Sequence, residues 1–339
     1  MHDLVLLAAG EAVTQNLSIF DPVSPPAESI RSLSVLVLAI AAVIFLVVEG
    51  VLFYSIFRFR RRCNGNSESE PPQVYGSKSI EVAWTAAPAL VVFMLVLVTT
   101  RTLWEVNVEP PHPKAGDQAL FVTVVGRQWW WEYVYDHYDG RPLGFITANE
   151  LHVPAGEDGR PRPVYLTLKS ADVCHSFWVP RLAGKTDLIP GQTNHMWFQT
   201  SQTGLYVGQC AEYCGTQHAN MLLRVVVEKP ADFERWLENE RQPAREDASV
   251  ADGKQAFLAQ SCVNCHRVRG TPARGTYAPD LTHLMARKTL ASGMIANTPE
   301  SLREWLSAPQ QVKPGCLMPA FGLNERDWEQ VARYLLSLD

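Results

Sequence analysis

From residue 33 to residue 57 the chain is apolar except at Ser34, Glu49, Gly50 and Ser55. About 25 residues rising 1.5 Å each exceed the ~30 Å hydrocarbon core of a bilayer. So long and uniform a run predicts a membrane-crossing helix rather than a buried helix of a soluble domain. Arg58-Phe59-Arg60-Arg61-Arg62 follows at once. Positive charge marks the cytoplasmic flank, so the preceding N-terminal segment is expected outside. A second apolar run, residues 82–104, returns the chain outward; it contains Pro88, which a neighbouring helix can accommodate. Residues 63–73 between the runs are rich in Gly, Ser, Glu and Pro and read as a loop. Residues 1–30, with Pro22, Pro25 and Pro26, are expected to be irregular and outside the membrane. The run 4–9 is too short for a signal segment with a basic flank.

The remainder has a different texture. The 339 residues are 47% hydrophobic, yet mean hydropathy is only −0.07, which fits water-exposed domains joined to a short membrane part. A net charge of −5 and the lack, outside the membrane flank, of a basic patch interleaved with aromatics give no support for a nucleic-acid partner. Short β-branched runs at residues 120–125, 164–168, 195–198, 205–207 and 222–227 are separated by Pro- and Gly-containing turns. They predict an all-β Greek-key sandwich or barrel. The expected division is 1–30 extracytoplasmic segment, 31–108 transmembrane hairpin, 109–230 β-domain, 231–250 helix and linker, and 251–339 C-terminal domain. Phe233, Trp236 and Leu237 share one side of an amphipathic helix over residues 231–241. Residues 242–250 are polar and read as a flexible tether with a span of ~17 Å.

Inside the β-domain, Cys210-Ala211-Glu212-Tyr213-Cys214-Gly215-Thr216-Gln217-His218-Ala219-Asn220-Met221 places two thiols, an imidazole and a thioether in one loop. Soft sulfur with imidazole suits copper better than magnesium or calcium. Cys214, His218 and Met221 alone would suit one copper with a further His from upstream, and His175 can supply it. Cys210 changes the stoichiometry: two thiolates on one turn can bridge two copper ions. His175 and His218 would then be terminal ligands, with Met221 and the Glu212 carbonyl as weak axial ones. A Cys210–Cys214 disulfide or a zinc site are the alternatives, but a disulfide needs neither His175, His218 nor Met221, and zinc rarely uses Met. Cys63, Cys174 and Cys316 are left over, which argues against a disulfide framework.

This loop, with the upstream Asp172-Val173-Cys174-His175-Ser176-Phe177-Trp178-Val179-Pro180, resembles the copper A site of cytochrome c oxidase subunit II. The resemblance implies a cupredoxin-like fold for the β-domain. It implies that Trp129, in Gly126-Arg127-Gln128-Trp129-Trp130-Trp131-Glu132-Tyr133, lies over the copper and receives electrons. Three adjacent Trp cannot all face one core of a strand, so at least one is expected at the surface. The resemblance further implies that Glu81 stands at the mouth of a proton path into subunit I. It also implies that the Glu212 carboxylate helps bind Mg at the subunit I boundary. The bland alternatives are a helix-terminal acid for Glu81 and a simple loop acid for Glu212. Asp172 is expected to support His175 or that boundary. Glu49, within the first run, either serves a function or reaches the cytoplasmic interface.

Cys262-Val263-Asn264-Cys265-His266 is a covalent haem c attachment motif: two thiols add to vinyl groups and His266 reaches iron. Met318, in Pro314-Gly315-Cys316-Leu317-Met318-Pro319, best supplies the sixth ligand, with Met285 and Met294 as rivals. Residues 277–281 and a helix over 324–338 resemble small class I cytochromes c. The whole resembles subunit II of a caa3-type oxidase: a two-helix transmembrane hairpin, an all-β cupredoxin-like Greek-key barrel and an all-α cytochrome c domain. The implied cofactors are binuclear copper A and covalent haem c. The implied partners are subunit I and other oxidase subunits, with an external donor such as a cytochrome c or another periplasmic carrier. Both redox domains would face outward from a bacterial plasma membrane. A membrane-anchored copper chaperone, or another copper A carrier such as a nitrous-oxide reductase relative, would share part of this pattern. The chaperone accounts for neither Met221, His218 nor a haem domain, and the reductase relative would pair the copper site with a His-rich propeller, which this sequence lacks.

Overall fold

The computed structural model describes residues 5–8, 11–14, 18–60, 73, 75–107, 118–157 and 159–339. The expected loop at 63–73 therefore lies outside the described residues except for Gln73. The chain divides into two compact units, 28–108 and 1–27 together with 109–339.

Near the N-terminus, β1 (Val5–Ala8) and β2 (Glu11–Thr14) pair antiparallel, where irregular chain was expected. Two long helices follow, α1 (Pro25–Arg58) and α2 (Lys78–Asn107). Helix α1 begins ahead of the apolar run. Pro25 and Pro26 fill its first turn, where a missing N–H costs nothing, and Glu28 suits the N-terminal dipole. The Ser34 hydroxyl donates to Ile30 O at 2.8 Å, so this polar group is satisfied within the helix. Both helices are long and apolar enough to cross a membrane, and Phe45, Leu46 and Val47 lie exposed along α1. Pro88 is carried inside α2.

In the other unit, residues 120–228 form two five-stranded sheets. The first has the order β10 (Asn194–Phe198), β7 (Val164–Ser170), β3 (Leu120–Arg127), β4 (Trp130–Tyr138), β5 (Arg141–Ala148). The second has the order β6 (Glu150–Pro154), β12 (Leu222–Glu228), β11 (Gly204–Cys210), β8 (His175–Trp178), β9 (Thr186–Leu188). Pairs β3–β7 and β6–β12 are parallel and the other neighbours antiparallel. Alternation dictates which side chains meet: Leu120, Val122 and Val124 of β3 point into the core, while the residues between them are half-buried. Each such buried aliphatic contributes ~1.5–3 kcal/mol. The result is the cupredoxin-like sandwich expected from the sequence.

Helix α3 (Pro230–Arg241) buries Phe233 and Leu237 against this core. Trp236 lies 5.2 Å from the Tyr135 ring and stacks on His152 at 4.4 Å, centroid to centroid. The C-terminal domain comprises α4 (Ala251–Ala259), α5 (Cys262–Cys265), the hairpin β13 (Thr289–Leu290) and β14 (Ile295–Ala296), α6 (Pro299–Ser307), α7 (Pro309–Val312) and α8 (Glu325–Leu336). Thr298 and Asn324 cap α6 and α8 by accepting from Ser301 N and Asp327 N. Phe257, Leu302, Val331 and Leu335 form its core.

The segment 242–250 is not a free tether. Ala244 N donates to Arg269 O, the Gln242 carbonyl lies 3.0 Å from His283 Nε2, and Asp247 caps a short 3-10 turn, Ala248–Val250. The backbone of the segment is tied to the helical domain, while Arg245, Glu246 and Ser249 remain exposed. That domain also clasps the sheets directly. Glu150 of β6, 2% exposed, accepts from Lys288 N and Thr289 Oγ1. Arg224 of β12, 5% exposed, donates to Thr289 Oγ1 and Gly293 O. Gly293 has φ +86°, and a β-carbon there would come within 2.3 Å of the Arg224 guanidinium. Only a glycine admits this contact.

Candidate metal centre and haem cavity

Strand β11 ends at Cys210 and β12 begins at Leu222, so the loop between them is pinned at both ends by one ladder. Cys210 N donates to Met221 O, closing the loop's neck. His175 opens β8, next to β11, and is fully buried. Space for its ring depends on Gly126: a β-carbon there would lie 2.8 Å from His175 Cδ2.

These elements bring the six expected groups together, four of them around the sulfurs of Cys210 and Cys214. The Sγ atoms of Cys210 and Cys214, both free thiols, are 3.8 Å apart. His175 Nδ1 faces Cys210 Sγ at 3.9 Å, and His218 Nδ1 faces Cys214 Sγ at 3.8 Å. Met221 Sδ lies 3.8 Å from Cys214 Sγ, and the Glu212 carbonyl 3.2 Å from Cys210 Sγ. The ligand atoms of His175, Cys210 and Cys214 all fall within 4.8 Å of one another. Two sulfurs flanked by one imidazole each, with a thioether and a carbonyl at the ends, is a donor set for two soft metal ions.

Hydrogen bonding tunes the sulfurs. The hydrogen bond between them draws the Cys210 thiol well below its usual range, against burial and with help from His175, and pushes Cys214 up. Asp172 Oδ1 holds His175 Nε2 at 2.8 Å, leaving Nδ1 for the sulfur side. Burial alone would raise the Asp172 carboxyl; hydrogen bonds from His175, Gln128 N and Val173 N bring it below its usual range. Burial likewise lowers His175, but Asp172 and Cys210 more than reverse that.

The tryptophans fall differently from expectation. Trp131 is fully buried, edge-on to Phe177 and His175 at 5.6 and 6.0 Å. Trp130 is buried under Arg127, 5.5 Å from its ring, and Trp129 is half-buried. Trp131 is buried by its own domain's core, and Trp129 and Trp130 line the boundary with the C-terminal domain. Trp129 Nε1 and Gln128 Nε2 both donate to Cys214 O, at 2.9 and 2.8 Å.

On the other side of Trp129 lies a cavity of about 550 Å³. Cys262, Cys265, His266 and Met318 all line it; Met285 and Met294 do not. The β-domain contributes Gln128, Trp129, Trp130 and Asn149 to its wall. His266 Nδ1 sits 2.8 Å from Pro279 O, which orients the ring and frees Nε2 for a metal. Burial lowers the His266 pKa, keeping the imidazole neutral. Arg287 also lines the cavity, and its Nε is buried with no partner, a donor suited to an acidic edge of a bound group. Two thiols, a neutral imidazole and a thioether around one apolar cavity fit a haem.

The remaining candidates are placed as follows. Glu81 lies in the first turn of α2 and is exposed. Glu49 lies within α1. The half-buried Glu212 is next to Tyr213, which is 75% exposed. Cys174 is exposed, and Cys316 accepts from Gln310 Nε2 at 3.2 Å. Lys313, Gln217, Glu150 and Arg224 went unnoticed in the sequence, where nothing separates them from ordinary surface side chains.

Three family models match this chain: the transmembrane domain of cytochrome c oxidase subunit II over residues 12–101, the periplasmic domain of the same subunit over 159–229, and cytochrome c over 250–339. Cytochrome c oxidase subunit 2 of Alkalihalophilus pseudofirmus is 34% identical over 99% of this chain and 94% of its own length. The chain belongs to the cytochrome c oxidase subunit II family. The subunit 2 of Bacillus subtilis is 32% identical over 94% of this chain and 90% of its own. Among solved structures, the periplasmic domain of subunit II of cytochrome oxidase of Bradyrhizobium japonicum is 30% identical, with a TM-score of 0.33, covering 38% of this chain and 96% of that one. As a subunit II with its own cytochrome c domain, the protein is a membrane component of a haem–copper oxidase, and its domains imply copper A and haem.

Proposed function

We propose that this subunit admits electrons to a caa3-type oxidase. They enter at a covalent haem c, pass to a binuclear copper A centre and go on to haem a of subunit I, where dioxygen reduction is coupled to proton pumping. The observation that carries this is the convergence of two imidazoles, a thioether and a carbonyl on two sulfurs 3.8 Å apart. Cys210, Cys214, His175, His218, Met221 and the Glu212 carbonyl would hold copper. Cys262, Cys265, His266 and Met318 would hold haem c. When bound, these groups would supply one-electron couples, and two thiolates on one turn would suit a pair of metals sharing one charge.

The chain's own residues do the rest. Asp172 fixes the His175 ring, and Gln128 and Trp129 brace the Cys214 carbonyl. Trp129 is the first acceptor on the copper side. Burial by the sheets and the C-terminal domain excludes water, so little solvent rearranges as charge moves. Glu81 marks the start of a proton path, and the Glu212 carboxylate helps hold Mg at the subunit I boundary. Unchanged proton-coupled turnover in Glu81→Gln would remove the first of these roles.

The partners are subunit I and other oxidase subunits, with an outside donor such as a cytochrome c or another periplasmic carrier. Both redox domains lie on the extracytoplasmic face of a bacterial plasma membrane, the arginines after α1 being cytoplasmic. The division 31–108, 109–230, 231–250 and 251–339 separates anchor, copper domain, connecting segment and haem domain. A copper chaperone would have no use for the haem cavity. The deciding experiment purifies the intact complex. Two coppers per chain with a mixed-valence spectrum, a covalent haem stain and a co-purifying haem a subunit are expected; a single copper, or an oxidised Cys210–Cys214 pair in the working form, overturns the proposal.

A further inference from the structure

The two domains meet at a seam whose centre is a lysine. Lys313 follows α7 and is 3% exposed. Its Nζ donates to three backbone carbonyls: Trp129 O at 2.8 Å, Asn220 O at 3.1 Å and Ala291 O at 3.1 Å. Two of these belong to the copper domain and one to the β13–β14 hairpin of the haem domain. All three ammonium protons are thereby used, and a neutral amine would turn its lone pair on a carbonyl oxygen. Burial brings the lysine down to about 7; the ring of carbonyls favours its charged form.

The positions of these carbonyls matter. Trp129 is the residue whose indole bonds to Cys214 O. Asn220 immediately precedes Met221, whose sulfur lies beside Cys214 Sγ. Lys313 thus grips the copper loop's surroundings from both sides of Cys214. On the haem side it begins a short segment that ends at Met318. Within that segment Pro314 O accepts from Gln217 Nε2 at 2.5 Å, and Gly315 packs on Thr216. Lys313 and Met318 line the same cavity as Trp129.

We propose that Lys313 is a positioning residue for internal electron transfer: enclosed by Trp129 O, Asn220 O and Ala291 O, it holds the Met318 segment in register with the copper loop. This rests on the relay proposed above. A buried ionic group is by itself weak evidence of a stabilising role. The use of Lys313 is registration: three carbonyls on two domains can be satisfied together in one relative placement only.

The test uses the intact oxidase complex. Transfer from haem c to copper is timed after photoreduction, and hydrogen exchange is followed over residues 288–293 and 128–131. Lys313→Met is expected to slow transfer several-fold, because electron tunnelling weakens exponentially as donor and acceptor drift apart. Exchange at the seam should rise while the copper and haem spectra persist. Lys313→Gln keeps two N–H donors and should fall between wild type and Lys313→Met. Lys254→Met, which removes a lysine paired with Glu246 away from the seam, should change neither readout. Should Lys313→Met fail to assemble, Lys313→Gln decides alone: slowed transfer with a loosened seam supports the proposal. Wild-type rate and exchange in the variants that assemble overturn it. A wild-type complex that shows no haem-to-copper transfer would instead overturn the relay itself.

Discussion

The indole Nε1 of Trp129 donates to the carbonyl oxygen of Cys214 at 2.9 Å, while the same residue lines the haem cavity. One residue thus touches the backbone of the copper loop and the haem site at once. Trp129→Phe keeps a ring but removes the donor, leaving Gln128 as the side-chain partner of Cys214 O. The expected cost is ~1 kcal/mol in stability. Copper absorption should be retained and reduction of copper by the attached haem slowed, as read by transient spectroscopy.

Asp172 holds His175 Nε2 at 2.8 Å and so aims Nδ1 at the sulfurs. Asp172→Asn can still accept a hydrogen bond but loses the charge. Copper affinity should fall ~10–100-fold, the usual effect of removing a partner behind a metal ligand. Competition with a graded copper chelator measures this directly; unchanged affinity would show that Asp172 does not orient the imidazole.

Met221 is fully buried, with its sulfur 3.8 Å from Cys214 Sγ. Met221→Leu conserves volume, so the fold should tolerate it at a cost below about 1.5 kcal/mol. The copper potential should shift because the Met221 sulfur would no longer contribute to the site, while the haem band stays intact. Loss of both signals would indicate misfolding rather than a ligand effect.

Glu240, near the end of α3, is 4% exposed, and burial raises its carboxyl above the usual range despite opposing His283, Arg287, His152 and Arg269. An acid whose folded pKa is raised binds more protons folded than unfolded. Stability therefore falls as pH climbs from the unfolded value through the raised one, and stays lowered above it. Glu240→Gln should flatten that slope and melt higher than the parent at neutral pH. Thermal unfolding across pH 4 to about 8 checks it; an unaltered slope would place the titration elsewhere.

What the sequence revealed, and what it hid, follows from locality. The copper loop was legible because its chemistry lies within twelve consecutive residues, Cys210 to Met221, with only His175 supplied from afar. The membrane helices were legible from length alone, though the start of α1 was not: Pro25 and Pro26 look like loop residues until a helix N-terminus uses them. The docking of the haem domain was invisible. Glu150, Arg224 and Lys313 carry the charges of surface residues, and only tertiary placement buries them. For the same reason residues 242–250 read as a flexible tether, since nothing local announces that Arg269 and His283 will engage their backbone. One tryptophan was expected at the surface; Trp131 sits in the β-domain's own core, while the unseen seam meets the half-buried Trp129 and the buried Trp130.

The clasp of Glu150 on Thr289 and of Arg224 on Gly293 joins two parts of one polypeptide. Encounter between these parts has unimolecular kinetics. Dilution cannot separate them, competing solutes cannot displace one in favour of another, and each copper-loop domain is supplied with a haem-binding domain in strict one-to-one ratio.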